Sequence, residues 1–341
     1  MLLSTQLAYA GDPRATVAHA VALEQAGVQV AWVAEAYGFD AATLLGYLAA
    51  RTETMLVGSG ILPVYTRTPA LIAQTAAGLD AVSGGRAILG LGASGPQVIE
   101  GWHGVSYDRP LGRTREVVDI CRRIWRREKL VNAGIYPLPL PPEQGTGLGK
   151  PLRLMVQPVR DRIPIFLASL GDKNVELTAE IAEGWLPIFF IPEKVQQVWG
   201  GALAAGAAKR DAGLGALQIA AGGMLAIGDD VVGLREAGRG MAALYIGGMG
   251  AKGRNFYNDL AVRYGYEQQA AAIQELYLSG NKREAESQVP AELLELTNLI
   301  GPPSYVRERV EAFRAVGVTQ LNVLPIGPNG LKDVERVRGW L

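Results

Sequence analysis

Residues 54–69, TMLVGSGILPVYTRTP, decide how this chain is read. The stretch starts as an apolar strand, Met55 to Val57. It then thins to Gly58, Ser59 and Gly60, and resumes with the bulky Ile61 and Leu62. Glycine inside a strand pattern marks a bulge, or a place where something comes close to the backbone. The pattern therefore raises the question of what this interruption supports.

Working outward, seven similar apolar runs flank this one: 2–9, 28–35, 86–92, 163–169, 184–190, 217–227 and 319–326. Helical patterns lie between them, such as PRATVAHAVALEQAG, with Pro13 near its start and Gly27 after its end. Near-continuous apolar strands separated by helices predict a parallel sheet covered on its outer face. Eight such units are the number that closes a (β/α)8 TIM barrel. An open doubly wound sheet is the alternative, and the lack of a mid-chain linker favours the barrel. The surplus residues fall into insertion segments at about 130–162, rich in Pro and Gly, and at about 228–310, mostly helical and ahead of the last strand. Neither reads as a second domain, so one domain over 1–341 is expected.

Composition narrows the function classes. Lys+Arg and Asp+Glu number 33 each, so there is no basic excess of the kind nucleic-acid binders carry. No 18-residue apolar run predicts a membrane span. The N-terminal MLLSTQLAYAGDPR lacks the charged start of a signal peptide. Cys121 is the sole cysteine; it sits on the apolar face of a helical pattern and reads as packing. A reducing, cytoplasmic setting fits.

Chemistry in such a barrel gathers at the C-terminal ends of the strands. Those ends carry Tyr9, Glu35, Ser59-Gly60, Gly92 to Gly95, Ala168 to Gly171, Phe189-Phe190 and Pro325-Ile326. Small residues there let a planar ligand lie against backbone, or merely fit the taper of the barrel. GLGASG (90–95) matches a dinucleotide fingerprint, but it follows the fourth strand and no acidic residue ends a strand twenty positions on. After Gly171 a helix begins at about Asp172 or Lys173. It offers either an anion site beside Lys173 or a helix simply capped by Asp172. His19 and His103 are the only histidines, and neither belongs to a recognisable catalytic set or metal motif. A mouth so short of acids, bases and metals points to an organic cofactor.

Two stretches, VGSGILPVYTRTPALIAQTAAGLDAVSGGRAILGLGASGPQVIEGWHG (57–104) and IPIFLASLGDKNVELTAEIAEGWLPIFF (163–190), resemble the core signature of the bacterial luciferase-like superfamily. Within it the chain is similar to the oxidoreductases dependent on the deazaflavin coenzyme F420, in the methylenetetrahydromethanopterin reductase-like branch. The resemblance implies hydride transfer between the deazaflavin C5 and a small organic substrate, and a homo-oligomer. It also implies a non-prolyl cis peptide at Gly60–Ile61 backing the ring, which answers the opening question. By position, Glu35 would contact the deazaflavin head group. Gly92, Ser94 and Gln97 would line the ring. Ala168, Ser169, Leu170, Gly171, Lys173 and Asn174 would form the loop and helix start that hold the phosphate or nearby tail. Tyr9, Tyr65, Phe190 and Tyr245 are candidate pocket walls. Some relatives that oxidise an alcohol place a catalytic His after the acidic residue of the second strand; here that residue is Ala36, so the resemblance does not by itself imply the chemistry or substrate class of the sugar-phosphate oxidisers. An FMN-dependent monooxygenase and a non-catalytic cofactor-binding barrel are the alternative readings.

Overall fold

A computed structural model of the chain describes residues 1–7 and 11–341. Its strands are β1 (Leu2–Leu7), β2 (Val30–Val33), β3 (Leu56–Ser59), β4 (Leu62–Pro63), β5 (Ala87–Gly92), β6 (Ile165–Leu167), β7 (Gly184–Trp185), β8 (Gln218–Ile227), β9 (Leu299–Gly301) and β10 (Gln320–Pro325). The pairing runs β1-β2-β3-β5-β6-β7-β8 and returns through β10 to β1, all parallel, with β4 extending β3 along β5. This is a closed eight-stranded parallel barrel with flanking helices, the expected (β/α)8 architecture.

Local sequence explains the helices around it. Pro13–Ala26 starts on a proline behind Asp12, whose carboxylate accepts the Arg14 N–H at 2.9 Å. Pro69–Val82 starts the same way behind Thr68. Such starts satisfy backbone donors that the helix itself leaves open. Cys121 lies fully buried in the helix Pro110–Trp125, and burial pushes its thiol pKa up. It is a packing residue.

Two expectations need correction. The run 184–190 is a strand only at Gly184–Trp185: Pro187 has no N–H to give a ladder, and Phe189 takes a positive φ of 52°. The segment 228–310 is mostly helical, yet it also contributes β9, which extends the sheet beside the far end of β8. The segment 130–162 has little regular structure. It is tied to the barrel by Arg160, which donates to the buried Asp80 carboxylate (Nε, 3.1 Å) and to the Ala87 carbonyl (2.7 Å).

Inside the barrel, Val30, Trp32, Ile88, Phe166 and Ala220 form one apolar cluster; a larger one fills the space between strands and helices. The rings of Trp32 and Phe166 lie 5.2 Å apart. Glycine makes room for both. A Cβ on Gly58 would sit 2.5 Å from the Trp32 ring, and one on Gly184 would sit 2.1 Å from the Phe166 ring.

The opening stretch resolves into a bulge. Gly58 pairs with Ile88, and Leu62 pairs with Leu91. Four steps on one strand thus match three on the other, which is one extra residue. The Gly60–Ile61 peptide within it is cis. The break leaves both backbone groups of Gly90 without a ladder partner. The Ser59 hydroxyl takes both: it donates to the Gly90 carbonyl at 2.8 Å and accepts the Gly90 N–H at 2.9 Å. A side chain at 90 is impossible, since its Cβ would lie 1.8 Å from the Ser59 carbonyl oxygen. We predict that Ser59→Ala costs about 2 kcal/mol, because it strands a buried donor and a buried acceptor. Urea unfolding of the two proteins checks this; equal midpoints would show that the hydroxyl bridge contributes nothing.

Candidate functional site

The barrel mouth is built first from what the bulge delivers. A Cβ on Gly92 would lie 2.5 Å from Ile61 Cδ1 and 3.5 Å from the Ala168 Cβ. Ile61, Gly92 and Ala168 therefore meet across β4, β5 and β6 and form a floor of small or flat-lying groups. Next to it, Ser94 adopts a positive φ of 58°, and its carbonyl accepts the Tyr107 hydroxyl at 3.3 Å. Gln97 is exposed on the short helix Pro96–Gly101 that follows.

The loop 168–171 is held from below. The Ser169 carbonyl accepts the Trp185 indole N–H at 2.9 Å, and the Leu170 carbonyl accepts that of Trp199 at 2.7 Å. The Ser169 hydroxyl is buried against that of Thr178, 2.8 Å away. The loop ends at Gly171, which begins the ten-residue helix Asp172–Ile181 with no side chain capping it and open space where a Cβ would point. Asp172 does not cap this helix; its carboxylate pairs with Arg263 at 2.6 Å. Backbone N–H groups at a helix start attract anions. Asn174 is half-buried in the first turn. Lys173 lies elsewhere: 81% exposed, it pairs with Glu176 at 3.1 Å in a shallow groove shared with Arg115, Glu180 and Lys209.

The candidate pocket walls divide. Tyr9 lies outside the described residues. Phe190 is not a wall: it is 1% exposed, packed among Trp185, Trp199 and Phe313 in the outer core. Its neighbour Phe189 meets Tyr245 edge-on at 5.8 Å. Alternation carried on from Leu186, which packs with the inner cluster, would turn Phe190 inward; the positive φ at 189 breaks that alternation. Tyr65 is buried, stacked on Tyr107 at 5.0 Å, with its hydroxyl donating to the Asp108 carbonyl at 2.8 Å. It supports the wall rather than forming its surface.

Tyr245 sits on a π-helical turn, Leu244–Gly248, in the 228–310 segment. That turn widens the backbone ladder. Asn255 fills the gap by donating to the Tyr245 and Ile246 carbonyls at 2.9 and 3.0 Å, and Asn258 adds a bond to Ile246 at 3.1 Å. Such turns often mark functional sites. The Met249 carbonyl reaches to 4.0 Å from where a Gly95 Cβ would lie, so this segment covers the mouth above β5.

Glu35 ends β2, and the residue that answers it, Arg67, comes from the same opening stretch. The Arg67 guanidinium donates to Glu35 Oε1 at 2.6 Å and Oε2 at 2.8 Å, and also pairs with Asp40. The Ala41 N–H adds a third bond to Glu35 at 2.8 Å. Hydrogen bonding to Glu35 raises the Arg67 pKa against the cost of burial. Asp40 is held below the usual carboxylate range: burial opposes this, but the N–H and hydroxyl of Thr43, with Arg67, outweigh it. Sequence reading missed Arg67; the available signal was a lone cation between an apolar strand and a Thr-Pro helix start. Arg67→Met is expected to cost about 3 kcal/mol by leaving the Glu35 carboxylate buried and unpaired. The double variant Arg67→Met/Glu35→Gln should recover most of that in denaturant unfolding. A double variant as unstable as the single one would remove the ion pair from the account.

Comparison with known proteins gives the family. Residues 2–320 match the family model described as luciferase-like monooxygenase. A Mycobacterium tuberculosis protein provisionally named a coenzyme F420-dependent oxidoreductase is 39% identical over 340 residues, covering 98% of each chain. A 5,10-methylenetetrahydromethanopterin reductase of Archaeoglobus fulgidus is 27% identical over 323 residues, 92% of this chain and 90% of that one. Among solved structures, the coenzyme F420-dependent tetrahydromethanopterin reductase of Methanopyrus kandleri superimposes with a TM-score of 0.80 at 23% identity, over 98% of this chain and 96% of that one; it supports the fold. No helix among the described residues is long and apolar enough to cross a membrane. By its near-complete match to the family model and its full-length relatives, the chain belongs to the luciferase-like family of oxidoreductases.

Proposed function

We propose that the protein is a coenzyme F420-dependent oxidoreductase acting on a small organic molecule. One observation carries this: Ile61, Gly92 and Ala168 meet at the C-terminal ends of the strands, where the side chain of Ile61 lies against a residue with no Cβ. A side chain at 92 would collide with Ile61, so the glycine is what lets Ile61 lie against the backbone there. The full-length relatives named for coenzyme F420 support the same reading.

When bound, the deazaflavin supplies hydride chemistry at its C5. The chain holds and shields it. Ile61 and Gly92 back the ring, Ser94 and Gln97 flank it, and the start of the helix Asp172–Ile181 takes the phosphate of the tail through backbone N–H groups. That role falls to Gly171 and its neighbours rather than to the Lys173 side chain, which is engaged outside. Glu35, with its oxygens occupied by Arg67 and Ala41, fixes the end of β2 as a positioning residue. The cover formed by residues 244–258 keeps water from the ring face, where hydride transfer needs it absent.

Titration with F420, followed by its fluorescence, is expected to show quenching with micromolar or tighter affinity, with FMN in parallel binding weakly. Tight FMN binding without F420 binding would instead favour a flavin-dependent monooxygenase. Gly92→Val should keep the fold, seen by circular dichroism, and weaken F420 binding at least tenfold, about 1.4 kcal/mol. Unchanged affinity would mean that the ring does not rest on this floor.

A further inference from the structure

The barrel interior is not uniformly apolar. Alternation along β1 points Leu2, Ser4 and Gln6 inward, since Leu2 joins the inner cluster and Leu3 and Leu7 the outer one. Register carries this to β10: Gln320 is paired with Leu2, and Asn322 with Ser4. On β2, Trp32 faces inward beside Gln6. Three adjacent strands thus present Gln320, Ser4, Asn322 and Trp32 to the interior. Ser4 is 0%, Gln320 2% and Trp32 3% exposed. Each carries a buried polar atom with no protein partner: Ser4 Oγ, Gln320 Oε1, Asn322 Oδ1 and Trp32 Nε1.

Buried polar groups in native proteins are almost always satisfied, by protein or by ordered water. Seven such side-chain atoms are found among the described residues, and four of them fall in this one sector. The chemistry matches water. The four atoms include an indole donor, two amide acceptors and a hydroxyl that can do either, and a buried water makes two to four bonds of both kinds.

We propose that the seam of β10, β1 and β2 holds a column of ordered water inside the barrel, and that this column delivers the proton that hydride transfer leaves owing. The seam runs from Gln320, whose amide donates to the exposed Gln218 at 3.4 Å near the start of β8, to Gln6, exposed at the mouth. The ring floor lies in the other sector, on β4, β5 and β6. The two sectors adjoin at the bulge, where a Cβ on Gly60 would lie 3.2 Å from the Trp32 Cβ, so a substrate set over the ring has the seam beside it. In the reducing direction, an unsaturated substrate carbon would receive a hydride, two electrons with one proton, from the bound coenzyme. The neighbouring oxygen or nitrogen takes one proton from the nearest water, and solvent restores that proton through the column. The proton step rests on the function proposed above; the water does not. No side-chain acid need supply the proton, which agrees with the engagement of Glu35.

A crystal structure of the full chain without coenzyme, at a resolution that shows solvent, tests the water directly. Density within hydrogen-bond distance of Ser4 Oγ, Trp32 Nε1 and Asn322 Oδ1 is expected. A dry seam, or amides that bond only each other, overturns the column. Asn322→Leu then tests delivery. Turnover should fall on the order of a hundredfold, with a larger solvent deuterium isotope effect and unchanged F420 affinity, and Asn322→Asp should restore much of it. Wild-type turnover and isotope effect in the Leu variant, with water present in the crystal, would reduce the column to a structural role. Failure of the wild type to bind F420 would count against the proposed function and leave the crystallographic result standing by itself.

Discussion

One hydroxyl group makes the mouth possible. A parallel barrel wants every backbone group in its ladder, and the bulge after β3 breaks that ladder at Gly90. Ser59 closes the break with a donor and an acceptor on the same oxygen. Because that repair is internal, the chain can afford a kink at the rim without a buried orphan. The kink lifts Ile61 over Gly92 instead of leaving it in the wall. Below it, Gly58 and Gly184 give their space to Trp32 and Phe166, whose rings occupy the middle of the barrel.

Much of this was legible in the sequence, for identifiable reasons. The eight strand runs are buried on both faces, so they read as continuous apolar segments, and proline or capping residues punctuate the helices between them. The floor was legible because it consists of departures from that pattern: Gly60, Gly92 and Ala168 are small where the strands are otherwise bulky. What stayed hidden depends on direction and distance. Runs that are apolar on both faces do not say which residue points inward, so Trp32 and the polar seam opposite Asn322 could not be separated from the outer core. Phe189 and Phe190 exchange roles through a single backbone angle. Lys173 follows the loop 168–171 but turns to Glu176. Arg67 finds Glu35 across thirty-two positions of chain, a pairing that only the closed barrel brings about.

The mouth is asymmetric, and its two halves have different physics. Over β4, β5 and β6 it is small-sided and apolar, a surface suited to dispersion against a flat ring. Over β10, β1 and β2 it leads down to polar atoms that need solvent. If the coenzyme and the water column lie as proposed, binding and proton supply fall in different sectors of one opening.

The π-helical turn at Leu244–Gly248 has a consequence for how such a protein can diversify. Its loosened carbonyls are answered by Asn255 and Asn258, a few residues downstream on the same insertion, and Asn258 also bonds Ala270 there. The covering piece thus balances its own polar accounts and asks little of the strands beneath. Substitutions within that piece can therefore be absorbed by its own side chains without disturbing the strands of the barrel.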